Sequence, residues 1–138
     1  MPASLQFELV SPEKLLVSKS VAMVTVPGGE GDYGVLAGHA PLITTIRPGV
    51  IDVYGNEDTV ITERIFVAGG FAEVTSDRCT VLAEGAKPVT ELDRVQVEEH
   101  LQRLLQELSH NQQPEAGHEA LEKQVTIARA QLQAIAQP

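Results

Sequence analysis

Gly29-x-Gly31-x-x-Gly34, with Asp52 beyond it, is the one spacing in this chain that could serve cofactor chemistry. In dinucleotide-binding proteins such glycines end a strand and open a helix whose N-terminus faces the pyrophosphate. An acid about twenty residues further on then takes the ribose hydroxyl. Here Val35-Leu36-Ala37-Gly38-His39-Ala40-Pro41 follows, and Gly38 and Pro41 would stop any helix within two turns. A glycine costs a helix interior about 1 kcal/mol against alanine, and a proline about 3 kcal/mol. The pattern therefore predicts turn glycines in a β-protein rather than a phosphate cradle.

The remaining reactive side chains are scattered. His39, His100, His110 and His118 fall on a loop, a helix and an interhelical turn, none with a Cys, Asp or second His at metal-ligand spacing. Cys79 lies mid-strand beside Val81 and reads as a small buried hydrophobe. The chain has no G-x-S-x-G elbow and no phosphate-binding GxxxxGK[ST] loop. Glu30 and Asp32 are the only carboxylates placed for display, and a lone acid pair on a loop suits a partner contact better than catalysis. No cofactor is expected.

Those two acids belong to Val26–Leu42, which holds five of the eleven glycines and has prolines near both ends. Its composition predicts a compact, turn-rich loop with several residues at positive φ. A loop so elaborate on a small domain is better suited to contact than to connection. The 138 residues make one ordinary domain or a small domain with an appendage. The hydrophobic fraction of 43% supports a core, and 4% aromatics with no Trp makes it aliphatic. A formal charge of −9 argues against nucleic acid. Residues 1–88 carry six Lys/Arg and eleven Asp/Glu, and residues 89–138 carry four and eight, so neither part is a charged tail. A single cysteine suits a reducing compartment, no apolar run reaches the roughly 18 residues of a membrane span, and the N-terminus does not look like a signal peptide. The expectation is a soluble cytosolic protein with no direct membrane insertion.

Hydrophobic periodicity supplies the scaffold. Leu5, Phe7 and Leu9 alternate with Gln6 and Glu8, predicting a half-buried strand broken at Ser11-Pro12. Alternation resumes over Leu15–Val26, with a turn expected at Ser18-Lys19-Ser20. Leu42–Ile46, Val50–Tyr54, Val60–Val67, Phe71–Thr75 and Cys79–Ala83 read as further short strands, with a bulge or close backbone approach at Ala68-Gly69-Gly70. Strands at 8–12-residue spacing indicate a sandwich or barrel. After Glu84–Pro88 the period becomes helical. Thr90 and Asp93 resemble an N-cap with an acidic third residue, and Leu92, Val95, Leu101, Leu104, Leu105 and Leu108 share one side. Past a polar break punctuated by Pro114 and Gly117, a second stripe runs through Leu121, Val125, Ala128, Leu132 and Ile135. The fold expected is a β-sandwich N-terminal domain, residues 1–86, followed by a C-terminal antiparallel two-helix hairpin, residues 87–138. Without catalytic apparatus, such a chain reads as a subunit or adaptor. The rivals are a free-standing binding module and a nucleotide enzyme, and the latter needs residues 35–41 to be helical.

Five segments then carry a resemblance: F-E-L-V-S-P at the start, V-P-G-G-E-G-D-Y-G-V-L-A-G-H-A-P-L, I-R-P-G-V, F-V-A-G-G-F-A-E-V and T-V-L-A-E. In order and over nearly the whole chain they resemble the epsilon subunit of bacterial F-type ATP synthase, whose mitochondrial counterpart is called delta. The resemblance implies a non-catalytic central-stalk subunit. It would turn with the rotor on the cytoplasmic face of the inner membrane, beside the gamma subunit and against the polar loops of the c-ring. It points to Glu30, Gly31, Asp32 and Tyr33 for the c-ring contact and to His39, Ala40 and Pro41 for the gamma contact. The family's hairpin can extend and block hydrolysis by meeting acidic loops of the alpha and beta catalytic subunits. Here its basic contacts would be Arg94, Arg103, Lys123 and Arg129, few enough to imply weak inhibition. Some members bind ATP through I/L-D-x-x-R-A at the first helix. The corresponding Leu92-Asp93-Arg94-Val95-Gln96-Val97 lacks the Arg and Ala in their places, so no useful ATP affinity is expected.

Overall fold

The computed structural model describes residues 4–110 and 116–137. The chain forms two compact units, Met1–Pro88 and Val89–Pro138.

The first unit is all β. Its strands are β1 (Leu5–Val10), β2 (Leu15–Val21), β3 (Met23–Gly28), β4 (Gly31–Leu36), β5 (Leu42–Ile46), β6 (Gly49–Tyr54), β7 (Ile61–Val67), β8 (Gly69–Val74), β9 (Arg78–Glu84) and the two-residue β10 (Lys87–Pro88). They run in the order β10-β7-β6-β3-β5-β8-β9-β1-β2, with β4 paired to β3 outside that path. All pairs are antiparallel except β1 with β9. The β3–β5 junction is a single residue pair, Gly28 opposite Ile46. The sheet thus consists of two halves joined at one point, and their inner faces enclose one core. That core takes Leu5, Phe7 and Leu9 from β1, Val24 and Val26 from β3, Ile51 and Val53 from β6, and Val81 and Ala83 from β9. Each set is spaced by two residues, so strand periodicity sends alternate side chains inward. The family of folds is a β-sandwich.

Two expectations are corrected here. Ser18-Lys19-Ser20 is no turn: the three residues lie mid-β2, opposite Glu8, Phe7 and Gln6 of β1. Their polar side chains are held along the strand, Ser18 accepting from Gln6 Nε2 at 3.1 Å and Lys19 pairing with Glu63. Val26–Leu42 is not one long loop but a β-hairpin followed by a short turn, with positive φ only at Gly31 and Gly38. The expected close approach at Gly70 is present. It adopts φ +136°, and a Cβ there would lie 1.9 Å from the Leu82 carbonyl oxygen.

In the second unit a 3₁₀ turn at Val89–Glu91 precedes α1 (Arg94–His110), and α2 (Ala116–Ala136) follows. Asp93, not Thr90, is the N-cap. Its Oδ1 accepts from the amides of Val95 (3.0 Å) and Gln96 (3.4 Å). Val97, seven residues before Leu104, shares its face and is buried with it, whereas Val95 lies on the opposite side of the helix and is 60% exposed, against expectation. The α2 stripe is as expected, with Val125 and Ala128 buried and Leu121, Leu132 and Ile135 packed beside them. Gly117 and His118 lie within α2 rather than in a turn. Pro114 falls outside the described residues. Lys87 and Pro88, assigned from sequence to the helical part, pair with Phe66 and Ile65 of β7.

Candidate functional site

The displayed edge of the sandwich is the β3–β4 hairpin. Its strands pair from Met23–Leu36 to Gly28–Gly31, leaving Gly29 and Glu30 as a two-residue loop. Close packing demands glycine at this tip: a Cβ on Gly28 would stand 2.7 Å from the Gly31 carbonyl and 2.8 Å from the Tyr33 ring. The tip is tied to its neighbour β5 and to the turn after it. The Gly29 amide donates to Thr45 O (3.0 Å) and the Arg47 amide to Pro27 O (3.0 Å). Arg47 Nη1 donates to the Gly28 carbonyl at 2.6 Å, and Nη2 pairs with Asp32. The Tyr33 hydroxyl bonds Thr44 Oγ1. Burial pushes the Tyr33 phenol above its ordinary value, against the opposing pull of that hydrogen bond. Tyr33 is therefore neutral at physiological pH and serves as a strut.

Glu30, Gly31, Asp32 and Tyr33 are thus brought together, around an open groove of about 590 Å³ that also takes in Ile43, Thr44 and Thr45. His39, Ala40 and Pro41 lie elsewhere, on the connection from β4 to β5. That connection is pinned to the β8–β9 turn by the Gly38 amide donating to Ser76 O (2.5 Å), and His39 Nδ1 donates to the Ala40 carbonyl (2.7 Å). Arg94, Arg103, Lys123 and Arg129 are all exposed on the helices. Arg103 has Glu99 and Glu107 one turn to either side, so its charge is largely offset along its own helix.

The sequence reading missed an apolar patch on the outer face of the second half-sheet. Phe71 pairs with Leu82 across β8 and β9, and Leu82 pairs with Val10 across β9 and β1. Phe71 and Leu82 are each 55% exposed, and Ile43 on β5 is 73% exposed. One signal for it was available. Gly69–Val74 and Arg78–Glu84 carry apolar residues at both parities, which a strand with one wet face does not need.

Among the described residues nothing activates a nucleophile. Burial pushes the Cys79 thiol up to about 12, so it holds its proton. No group of three His, Cys, Asp or Glu side chains among the described residues could hold a metal ion. Gly34, Val35 and Leu36 continue β4, and residues 37–41 are non-helical, which removes the dinucleotide reading. Asp52 is engaged elsewhere, its Oδ1 3.5 Å from Arg64 Nε. No described helix is long and apolar enough to cross a membrane.

A sandwich with a braced tip, an outer apolar patch and a helical pair defines a docking subunit rather than a catalyst. Comparison with known proteins gives the family. The family model for the ATP synthase delta/epsilon chain β-sandwich domain matches residues 4–89. The ATP synthase epsilon chain of Rhodospirillum centenum is 51% identical over 139 residues, covering 99% of this chain and 94% of its own. That of Rhodospirillum rubrum is 50% identical over 121 residues, covering 85% and 89%. That of Brucella canis is 41% identical over 137 residues, covering 97% and 100%. Among solved structures, a chain of the Euglena gracilis mitochondrial ATP synthase OSCP/F1/c-ring assembly aligns with a TM-score of 0.79 at 25% identity, over 94% of this chain and 80% of that one. The chain belongs to the ATP synthase delta/epsilon family, and is a subunit of that complex without a catalytic site of its own.

Proposed function

We propose that this chain is a rotor subunit of a proton-translocating ATP synthase, turning with the gamma subunit and the c-ring and passing torque between ring and catalytic head. The observation that carries the reading is the 51% identity over 99% of the chain to an epsilon chain. The braced tip agrees with it, because torque transfer needs a contact that does not deform. Glu30, Gly31, Asp32 and Tyr33 face the polar loops of the ring. Rim ion pairs there set register and encounter more than affinity. The gamma subunit takes His39, Ala40 and Pro41 and extends over Ile43, Phe71 and Leu82, whose exposed area suits an apolar partner. The protein sits at the cytoplasmic face of the bacterial inner membrane, held there by its partners.

The hairpin regulates hydrolysis weakly. Residues 89–138 carry four basic and eight acidic side chains, a poor match for acidic loops of the alpha and beta subunits. Arg94, Arg103, Lys123 and Arg129 are the cations that would face such loops. Removing residues 89–138 is expected to raise hydrolysis less than about fivefold, the scale of one exposed ion pair at up to about 1 kcal/mol. Millimolar ATP is expected to leave the melting temperature unchanged, and a shift of several degrees would overturn that.

The deciding experiment adds the chain back to membranes stripped of their own copy. Proton pumping per ATP hydrolysed should recover, and the chain should co-purify with gamma and the c-ring. A chain that stays in the supernatant, with pumping unrestored, would end the reading.

A further inference from the structure

Two charged residues stand where strand parity calls for apolar ones. In β2, Lys19 alternates with Val17 and Val21, which pack on the core, and it lies opposite the buried Phe7, so it points to the same face. In β7, Glu63 shares parity with the buried Ile65 and Val67 and lies opposite the buried Val53. The two residues are 44 apart in sequence, and they form an ion pair. Their strands are not neighbours in the sheet. β2 ends the strand path, and at Glu63 β7 is the outermost strand of the other end, because β10 pairs only with Ile65 and Phe66. We propose that Lys19 and Glu63 form a latch that closes the sandwich on the side away from the Gly28–Ile46 junction and holds its two half-sheets on each other.

Three observations support the latch. The pairs Arg64–Asp52 and Arg78–Glu8 join strands that already bond to each other, whereas Lys19–Glu63 bridges two free edges. The ladder joins the half-sheets at one residue pair in the middle of the strand path, so its two ends have no backbone bonds between them. Hydrophobic contact presses the halves together without direction, and a charge-assisted hydrogen bond at the rim fixes which residues face one another. The Lys19 and Glu63 side chains are 36% and 41% exposed, which keeps the charges at the water line while their methylene stems cover the end of the core. The half that ends at β7 carries the β3–β4 tip, and the half that ends at β2 carries Phe71 and Leu82. The latch therefore sets the spacing between those two surfaces.

Amide exchange in the full chain tests this, read on the β2 amides bonded to β1 and the β7 amides bonded to β6. Lys19→Met and Glu63→Gln keep the side-chain stems, so a change reports the lost charge. Each should speed exchange in both strands at low salt, by up to about fivefold, the scale of one part-exposed ion pair. The effect should fade at high salt. The double variant should be no faster than the faster single one, because the second change has nothing left to break. Charge reversal, Lys19→Glu with Glu63→Lys, should return both strands to their original rates. Exchange that rises only in the strand carrying the substitution, or effects that add in the double variant, would overturn the latch, since each side chain would then act within its own edge. Unchanged exchange at low salt, or a reversed pair that leaves both strands fast, would overturn it as well.

Discussion

The sandwich and the hairpin are built on unequal interiors. Seventeen buried side chains fill the sandwich, drawn from nine strands that are distant in sequence. The hairpin's cluster, taken by itself, has four, Val97, Leu104, Val125 and Ala128, with five half-buried residues beside them. Helices are made by local hydrogen bonds, so the hairpin needs few tertiary contacts to exist, and what holds its two helices together is a narrow seam. Strands have no such local support and form only where the whole core forms. The difference assigns rigidity to the part that carries the braced tip and low opening free energy to the part read as regulatory.

Core substitutions should separate the two parts most strongly. Gly70→Ala puts a methyl group 1.9 Å from a backbone oxygen at φ +136°, so neither rotation nor a side-chain shift relieves it. A loss on the order of 3 kcal/mol or more is expected in urea melts. Phe7→Ala, at a fully buried ring, should cost about 3–5 kcal/mol. Leu104→Ala in the hairpin should cost about 2 kcal/mol, the low end for a leucine in a small core. Its effect should show as faster amide exchange over α1 and α2, with the strand amides unchanged. If the strand amides follow the helices, the two parts unfold as one block and the comparison breaks.

Cys79 sharpens the same contrast, because it is a reporter placed only in the sandwich. Its thiol is pushed from 9.0 to about 12 by burial. The folded state then holds a proton that the unfolded state gives up, so stability is full below pH 9 and falls as pH rises from 9 towards 12. Cys79→Ser should flatten that alkaline slope in urea melts taken across the range. With Cys79 kept, thiol labelling at pH 8 should accelerate in Phe7→Ala and stay unchanged in Leu104→Ala. Labelling that accelerates with Leu104→Ala would show that the hairpin's opening reaches the sandwich.

Much of this was legible in the residues because periodicity is local. Leu5, Phe7 and Leu9 announce a strand, and Leu121, Val125 and Ala128 announce a helix, without reference to anything else. Gly70 was legible for a related reason, since a Gly-Gly pair inside an apolar run needs a backbone explanation. The failures have physical causes too. Ser18-Lys19-Ser20 has turn composition, yet β1 and a distant glutamate satisfy its polar groups. The glycines after Val26 looked like a loop because glycine has no side chain to reveal a strand's parity. They are a hairpin because close packing against Tyr33 and Thr45 excludes anything larger. At the site, the acids could be read as displayed, but Arg47 lies 15 residues from Asp32 and only folding joins them. The patch at Phe71 and Leu82 depends likewise on which strands become neighbours.

The smallest effect tests the helix boundary, where sequence and structure differ by three residues. Asp93 Oδ1 accepts from two amides in the first turn of α1, which has no acidic residue of its own and starts with Arg94. The positive end of the helix dipole is therefore balanced by this cap alone, with Arg94 working against it. Asp93→Ala should destabilise the hairpin by about 1 kcal/mol, seen as loss of helix signal at lower temperature, while Thr90→Ala should do almost nothing. Asp93→Asn should keep most of the stability, because the amide oxygen can still accept. It should lose the part owed to charge, and that part should shrink as salt is added. If Thr90→Ala proved the costlier change, the helix would begin where the sequence pattern placed it. The helix would then gain a turn at its start while Val97 and Leu104 kept the seam, because a helix's first residue does not decide which side chains share a face.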